Sequence, residues 1–226
     1  MLLNVDAGEL QDESEELAAS AHLLNIACGG HAGDEGSMRL TLQRARAHGC
    51  RVGAHPSYPD REHFGRRPME IPYRALEASL QAQVMALVAL ARDEGLRVTS
   101  LKPHGALYHA ANEDPALAAL VAAVTRNGIA GDAALVGPPR GELERAATQL
   151  GLAFFAEGFA DRRYEADGGL RDRRHADALL SSVEEAVAQA RTLMAGGEVR
   201  TLCVHGDSPL AVPILRALRT CLDERP

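Results

Sequence analysis

Seven short apolar runs, each followed by a stretch of helical periodicity, set narrow limits on what this chain can fold into. The runs lie at 2–6, 23–28, 51–54, 97–102, 133–137, 153–156 and 201–205. Amphipathic stretches fill the intervals at 35–48, 73–94, 115–126, 140–150, 182–194 and 209–222, with a shorter, acidic one at 11–20. Parallel strands covered by helices read as short continuous apolar segments, so the series predicts about seven β/α units in an α/β fold. Asp34, Asp114 and Ser182 offer capping oxygens, and Gly49, Gly95, Gly128, Gly151 and Gly196 sit where helices should stop. Pro115 and Pro209 suit first helical turns. No linker, repeat or low-complexity tract interrupts the series, so one catalytic domain over residues 1–226 is expected.

Two architectures satisfy such a series: a closed barrel and an open doubly wound sheet. Polar motifs follow many different strands here, whereas an open sheet gathers them near one switch point. The barrel is therefore the expectation. A net charge of -7 without a basic run argues against nucleic acid as a partner. No stretch approaches the roughly 20 apolar residues of a membrane span. No basic-then-apolar leader follows Met1, and the four cysteines stand singly. These features suit reduced thiols in a cytoplasmic enzyme with no membrane partner. A homo-oligomer is compatible with the sequence.

The chemistry accumulates at the strand ends. The first run leads into Asp6 and Glu9, the second into Asn25, His31 and Asp34, and the third into His55 and Tyr58. The fourth leads into Lys102 and His104, the sixth into Glu157 and Arg162, and the seventh into His205 and Asp207. Four of the nine histidines (His31, His55, His104 and His205) fall just past strands, which in a barrel would aim them into one mouth. The other five lie in helices or loops and are expected to face solvent. The turn from Gly29 to Asp34 precedes a helix, so it reads either as an anion cradle or as a tight turn needing positive φ. The connection at 53–72 is long for a β/α loop, and its Arg66, Arg67 and Tyr58 suggest a lid or an anion clamp, or else a solvated basic loop. The run 171–174 reads as solvated charge. Asp6, His31 and His55 form a candidate set for a divalent metal that activates water. Of 24 basic residues only Lys102 is a lysine, which suits a place where a compact ammonium is wanted and a planar guanidinium does not fit.

Several ordered blocks are specific. They are Asn25-Ile26-Ala27-Cys28-Gly29 before His31-Ala32-Gly33-Asp34, and Gly53-Ala54-His55-Pro56 with Phe64-Gly65-Arg66-Arg67. Lys102-Pro103-His104-Gly105-Ala106-Leu107-Tyr108, Glu157-Gly158-Phe159-Ala160-Asp161-Arg162 and Cys203-Val204-His205-Gly206-Asp207 complete the set. Together, from Asn4 to about Pro209, they resemble the LamB/YcsF family. The chain departs from that pattern in a short acidic segment at 10–24 and in Gly30, where the family usually carries phenylalanine.

The resemblance implies a distorted seven-stranded β/α barrel similar to the polysaccharide deacetylase fold. It also implies ATP-dependent hydrolysis of the 5-oxo-L-proline lactam to L-glutamate, with ATP as cosubstrate and subunits B and C as partners. Phosphorylation of the lactam oxygen would make it a leaving group. Such a site needs cations for phosphate and carboxylate, a base for water and an acid for the ring nitrogen. On this reading Lys102 and Arg66 or Arg67 meet the anionic groups, Asp6 or Glu9 is the base, and His55 and His104 carry protons. Asn25, His31, Asp34, Tyr58, Glu157, Arg162, His205 and Asp207 are further candidates for substrate or phosphate contacts. The chain carries no Walker-type phosphate loop, so nucleotide binding is either unconventional or completed by partners. The alternatives are a metal-dependent deacetylase or amidase and a non-catalytic, substrate-binding component.

Overall fold

The computed structural model describes residues 1–166 and 168–223. Seven parallel strands close in chain order: β1 (Leu2–Ala7), β2 (Leu23–Ala27), β3 (Arg51–His55), β4 (Val98–Leu101), β5 (Ala134–Gly137), β6 (Ala153–Phe159) and β7 (Thr201–His205). Closure pairs β1 with β7 from Leu2↔Thr201 to Asp6↔His205. Among the described residues eight helices surround the strands: α1 (Glu16–Ser20), α2 (Glu35–His48), α3 (Tyr73–Asp93), α4 (Gly105–Glu113), α5 (Pro115–Gly128), α6 (Glu142–Gln149), α7 (Val183–Ala195) and α8 (Ala211–Asp223). The expected closed barrel is thus the observed one, and the open sheet is excluded. No described helix is long and apolar enough to cross a membrane.

The ring is uneven in ways that shape the site. The β3–β4 register shifts between Val52 and Gly53, and β4 meets β5 over only Ser100↔Ala134 and Leu101↔Leu135. Strand β6 is longer than its apolar run suggests. Its first half pairs with β5 up to Ala156, and its second half pairs with β7 from Glu157. Glu157 therefore sits where the strand changes neighbours.

The helix caps follow the sequence closely. Asp34 accepts the Ser37 N–H in a capping box, Asp114 accepts from Ala116 and Leu117, and Ser182 accepts from Glu185. Gly49 closes α2 in the left-handed region at φ 68°. Two expectations shift. Gly128 is still helical, and after α7 the positive φ falls at Gly197 instead of Gly196. Helix α4 has no counterpart in the sequence reading. It starts at a glycine with φ +57° immediately after a proline and a histidine, signals that read as loop.

Strand alternation separates two interiors. Leu3, Val5, Leu24, Ile26, Val52, Ala54, Leu101, Leu135, Leu202 and Val204 belong to the apolar layer between strands and helices. Their alternating neighbours face the barrel axis, where Asn4, Asp6, Asn25, Gly53, Ser100, Thr201 and Cys203 stand alongside the apolar Leu23 and Val136.

Candidate active site

The axis holds a buried ionic core built from four strands. Just past β4, Lys102 is 2% exposed, and its Nζ donates to Asp6 Oδ1 at 2.9 Å and Oδ2 at 3.1 Å. Glu157 Oε1 lies 3.0 Å from the same ammonium, and Cys203 Sγ accepts from it at 3.1 Å. Amides complete the shell: Asn4 Nδ2 donates to Glu157 Oε1 and Thr201 Oγ1, and Asn25 Nδ2 donates to Asn4 Oδ1 and Asp6 Oδ1. Gly53 makes room for this, since a Cβ there would stand 2.7 Å from Ser100 Oγ and 2.8 Å from Asn25 Oδ1.

Burial alone would neutralise these groups, but their mutual charges win. Burial pushes the Lys102 pKa down, yet Asp6, with Cys203 and Glu157 beside it, lifts it well above the ordinary lysine value. Burial likewise raises the Asp6 carboxyl, and His55 and Lys102 more than offset it, holding the group well below the usual carboxylate range. Burial, then the Glu157 carboxylate, keeps the Tyr108 phenol protonated by moving its pKa well up.

Above this core four side chains crowd together. Donor atoms of Glu9, His31, His55 and His104 all lie within 4.8 Å of one another. His55 Nδ1 is 2.8 Å from the Lys102 carbonyl, and His104 Nε2 is 2.9 Å from the Phe64 carbonyl. His55 Nε2 and His104 Nδ1 face each other at 3.0 Å. His31 Nε2 meets Glu9 Oε1 at 2.9 Å, and its ring stacks on His104 at 3.6 Å. Burial lowers the His104 pKa to about 3 despite the Glu9 carboxylate beside it.

The long connection after β3 walls this cluster instead of hanging free as a lid. Arg61 Nη1 donates to the carbonyls of Gly29 and Gly33, and Ala106 N donates to Gly65 O. Phe64 takes φ 56° and Gly65 φ 63°, the local cost of presenting the Phe64 carbonyl to His104. The Gly29–Asp34 turn proves to be a tight turn, with Gly29 at φ 103° and Gly33 at φ 86°.

A cavity of about 300 Å³ opens at the carboxyl ends of the strands, and Asp6, His55, Lys102, His104 and Tyr108 are among the residues that line it. The same cavity is lined by Arg66, Arg162 and Arg173, with His109, His205 and Asp172. Arg162 Nε and Arg173 Nη2 are buried without a partner. Burial first, then the neighbouring Arg173 charge, lowers the Arg162 pKa to about 10. Asp207 accepts from both Arg66 and Arg173, at 2.6 and 3.2 Å. Asp161 takes the His205 N–H at 2.9 Å and sits 3.1 Å from its ring.

The structure therefore gathers Asp6, Glu9, Asn25, His31, His55, Arg66, Lys102, His104, Glu157, Arg162, His205 and Asp207 in and around one mouth. It places three candidates elsewhere. Asp34 is exposed and spends its carboxylate on capping α2, Tyr58 packs into the helix-facing apolar core, and Arg67 points to solvent away from the cavity. Lys102 is also not a free cation for an incoming anion, because two carboxylates already neutralise it. In the metal set, Glu9 takes the place assigned to Asp6, whose oxygens serve Lys102 and Asn25. Among the histidines expected in solvent, His22 is half-buried and accepts the Leu3 N–H, and His63 pairs with Asp60.

Sequence reading missed Asn4, Thr201 and Cys203 in the core, and Phe159, Tyr108 and Arg173 at the cavity. The first three had a signal, since each is a polar or small residue alternating with apolar ones along a strand. Arg173 had none, hidden in a run of charges. Gly30 also gains a reason: a Cβ there would stand 2.4 Å from Gln83 Oε1 and Ser57 Oγ, two groups that fill the space around it.

Comparison with known proteins agrees with this architecture. The profile of the LamB/YcsF family matches residues 2–226. The chain is 42% identical to the 5-oxoprolinase A-subunit of Chloroflexus aggregans, over 98% of this chain and 94% of that protein. It is 44% identical to the protein of the same name from Methylococcus capsulatus, over 99% of this chain and 92% of that one. The crystal structure of a lactam utilization protein from Thermus thermophilus superposes with a TM-score of 0.89 at 33% identity, covering 99% of this chain and 96% of that chain. A putative cellobiose-phosphate cleavage protein from Enterococcus faecalis shares the fold at a TM-score of 0.62 and 12% identity, covering 99% and 93% of the two chains. With a barrel of this form and near-complete matches in both sequence and structure, the chain belongs to the LamB/YcsF family.

Proposed function

We propose that this chain carries the lactam-opening site of an ATP-dependent 5-oxoprolinase, which converts 5-oxo-L-proline to L-glutamate together with subunits B and C. The names of its relatives support the substrate. The observation that carries the reading is the lining of one cavity: Arg162 and Arg173, each with a buried unpartnered N–H, share it with Asp6, His55 and His104. A buried guanidinium N–H without an acceptor is costly, so this wall is built for a carboxylate or a phosphoryl group.

In this scheme the arginines hold the anionic parts of the substrate. Transfer of the γ-phosphoryl group from ATP to the lactam oxygen gives an activated carbon. Water adds there, losing its proton to the acidic part of the lining. The adduct collapses by C–N cleavage, the ring nitrogen taking up a proton, to leave an acyl phosphate, and a second water hydrolyses that to the carboxylate and inorganic phosphate. The anionic core of Asp6 and Glu157 around Lys102 fixes that part in place instead of meeting phosphate itself.

The test is glutamate release from 5-oxoproline with ATP, by this chain alone and with its partner subunits. Release that depends on ATP is expected, and Arg173→Ala should raise KM for 5-oxoproline by roughly 10- to 100-fold with a much smaller change in kcat. No release under any combination, or chelator-sensitive amide hydrolysis that ignores ATP, would replace this reading with a metal-dependent amidase. Undiminished activity of the assembled complex with Asp6→Asn would give the chain a binding role only.

A further inference from the structure

We infer that Glu9, His55 and His104 form a binding site for one divalent transition-metal ion at the floor of the cavity. The argument starts from tautomers. A backbone carbonyl can only accept, so the carbonyl of Lys102 places a hydrogen on His55 Nδ1, and that of Phe64 places one on His104 Nε2. In the neutral rings, His55 Nε2 and His104 Nδ1 are then both lone pairs, and they point at each other across 3.0 Å. The Glu9 carboxylate adds a third acceptor, with Oε1 at 3.3 Å from His104 Nδ1 and 3.7 Å from His55 Nε2. Three lone-pair donors converging in a buried place repel one another unless a cation sits among them.

A proton on His55 Nε2 would bridge the two rings and offset Asp6 Oδ2, 3.5 Å away, but would leave Glu9 Oε1 against the His104 lone pair at 3.3 Å. An ion satisfies all three. With metal–ligand bonds near 2.0–2.2 Å, tetrahedral donors stand roughly 3.3–3.6 Å apart and adjacent octahedral ones roughly 3.0 Å; two of the separations here, 3.0 and 3.3 Å, match, and the third, at 3.7 Å, needs only a small inward shift of Glu9. The rings of His55 and His104 are close to perpendicular, at 88°, so their planes cross along a line where both lone pairs can reach one ion. Both histidines carry the remote-nitrogen hydrogen bond to a carbonyl that orients metal-binding imidazoles.

His31 lies outside the ligand set. Its ring is parallel to that of His104, 3° apart at 3.6 Å, so no ion can lie in both planes. Its role is to donate Nε2–H to Glu9 Oε1 and hold that carboxylate in place, which makes it a positioning residue. Two imidazoles and one carboxylate select zinc or a neighbouring first-row ion over calcium or magnesium. Because His55 and His104 line the cavity, the ion's open position faces it, where it could polarise a carbonyl or acidify a water. The inference rests on geometry alone and holds whatever the substrate.

Full-length protein, stripped with chelator and dialysed, would be titrated with zinc and with cobalt(II). Uptake of about one equivalent is expected, with visible cobalt absorption bands of low-coordinate nitrogen ligation and a rise in the thermal midpoint. Glu9→Gln and His104→Gln should lose uptake, and His31→Gln should weaken it by roughly 10- to 100-fold. His48→Gln, on the exposed face of α2, should leave it unchanged. Folded wild-type protein that takes up neither ion, or stoichiometric uptake by both Glu9→Gln and His104→Gln, would overturn the inference. Should those variants fail to fold, the wild-type cobalt spectrum decides alone: bands of hexa-aqua cobalt would overturn it. Uptake is scored without substrate, so failure here leaves the lactam reading standing, and failure of lactam hydrolysis leaves this site standing.

Discussion

Lys102 shows how a single residue is fixed by its surroundings. Arginine serves every other basic position, yet the barrel axis has room only for a point charge between Asp6, Glu157 and Cys203. Removing one partner of a buried ionic group strands the others, at a cost of about 3–5 kcal/mol. Lys102→Ala should therefore lower unfolding free energy by about that amount in urea titrations, and Lys102→Arg should not restore it, since a forked guanidinium overfills the core. The sequence marked this residue by its rarity but assigned it to an incoming anion. Its partners come from strands far apart in the chain, and nothing local announces that two carboxylates already surround it. Glu9 and His104 were legible as site residues for a simpler reason, because each lies just past a strand end in a barrel. That their lone pairs converge depended on the carbonyls of Lys102 and Phe64, which no side-chain pattern encodes.

Among the elements, strand positions were the most legible part of the chain, because short apolar runs between glycines and caps have few other readings. Helix α4 escaped because it follows Lys102, Pro103 and His104 directly and begins on a left-handed glycine. The acidic 11–20 stretch yields only the five-residue α1. The turn from β2 into α2 carries the clearest mutational test. Gly33 has φ +86°, and a Cβ there would approach the Ala27 carbonyl oxygen to 2.4 Å. Gly33→Ala should cost about 2 kcal/mol or more, from left-handed backbone strain plus displacement of β2, and show as a lower thermal midpoint. Because Arg61 bonds to the carbonyls of Gly29 and Gly33, the same change should also loosen the wall that holds Phe64 beside His104.

For the whole molecule, the seam between β6 and β7, next to the closing β1–β7 pair, is tied by Asp161, which follows β6 and accepts from His205 at the end of β7. Burial raises the Asp161 pKa, but the charge of His205 and hydrogen bonds from its ring and backbone outweigh this, so the folded value lies below the ordinary one. A depressed folded pKa contributes stability above the unfolded value of about 3.9 and loses it as pH falls through the folded value. Stability should therefore drop below about pH 4, and Asp161→Asn should flatten that acid limb while lowering stability at neutral pH. Chemical denaturation at pH 3, 5 and 7 measures both effects; an unchanged acid limb would show that the seam is not titrating.

The ionic axis also bears on how the chain comes off the ribosome. Asp6, Lys102 and Glu157 lie far apart in sequence, so a growing chain has Lys102 for some fifty residues before its second carboxylate is made, and it lacks β7 for longer still. An unclosed ring exposes its inner face, and in many barrels that face would be a row of aliphatic side chains open to pairing with other copies. Here the face presented in the interim sets amide, carboxylate and ammonium groups among fewer apolar side chains such as Leu23 and Val136. Such charged groups favour water over another copy's strand edge, so the half-made ring is less inviting to self-association than an aliphatic one.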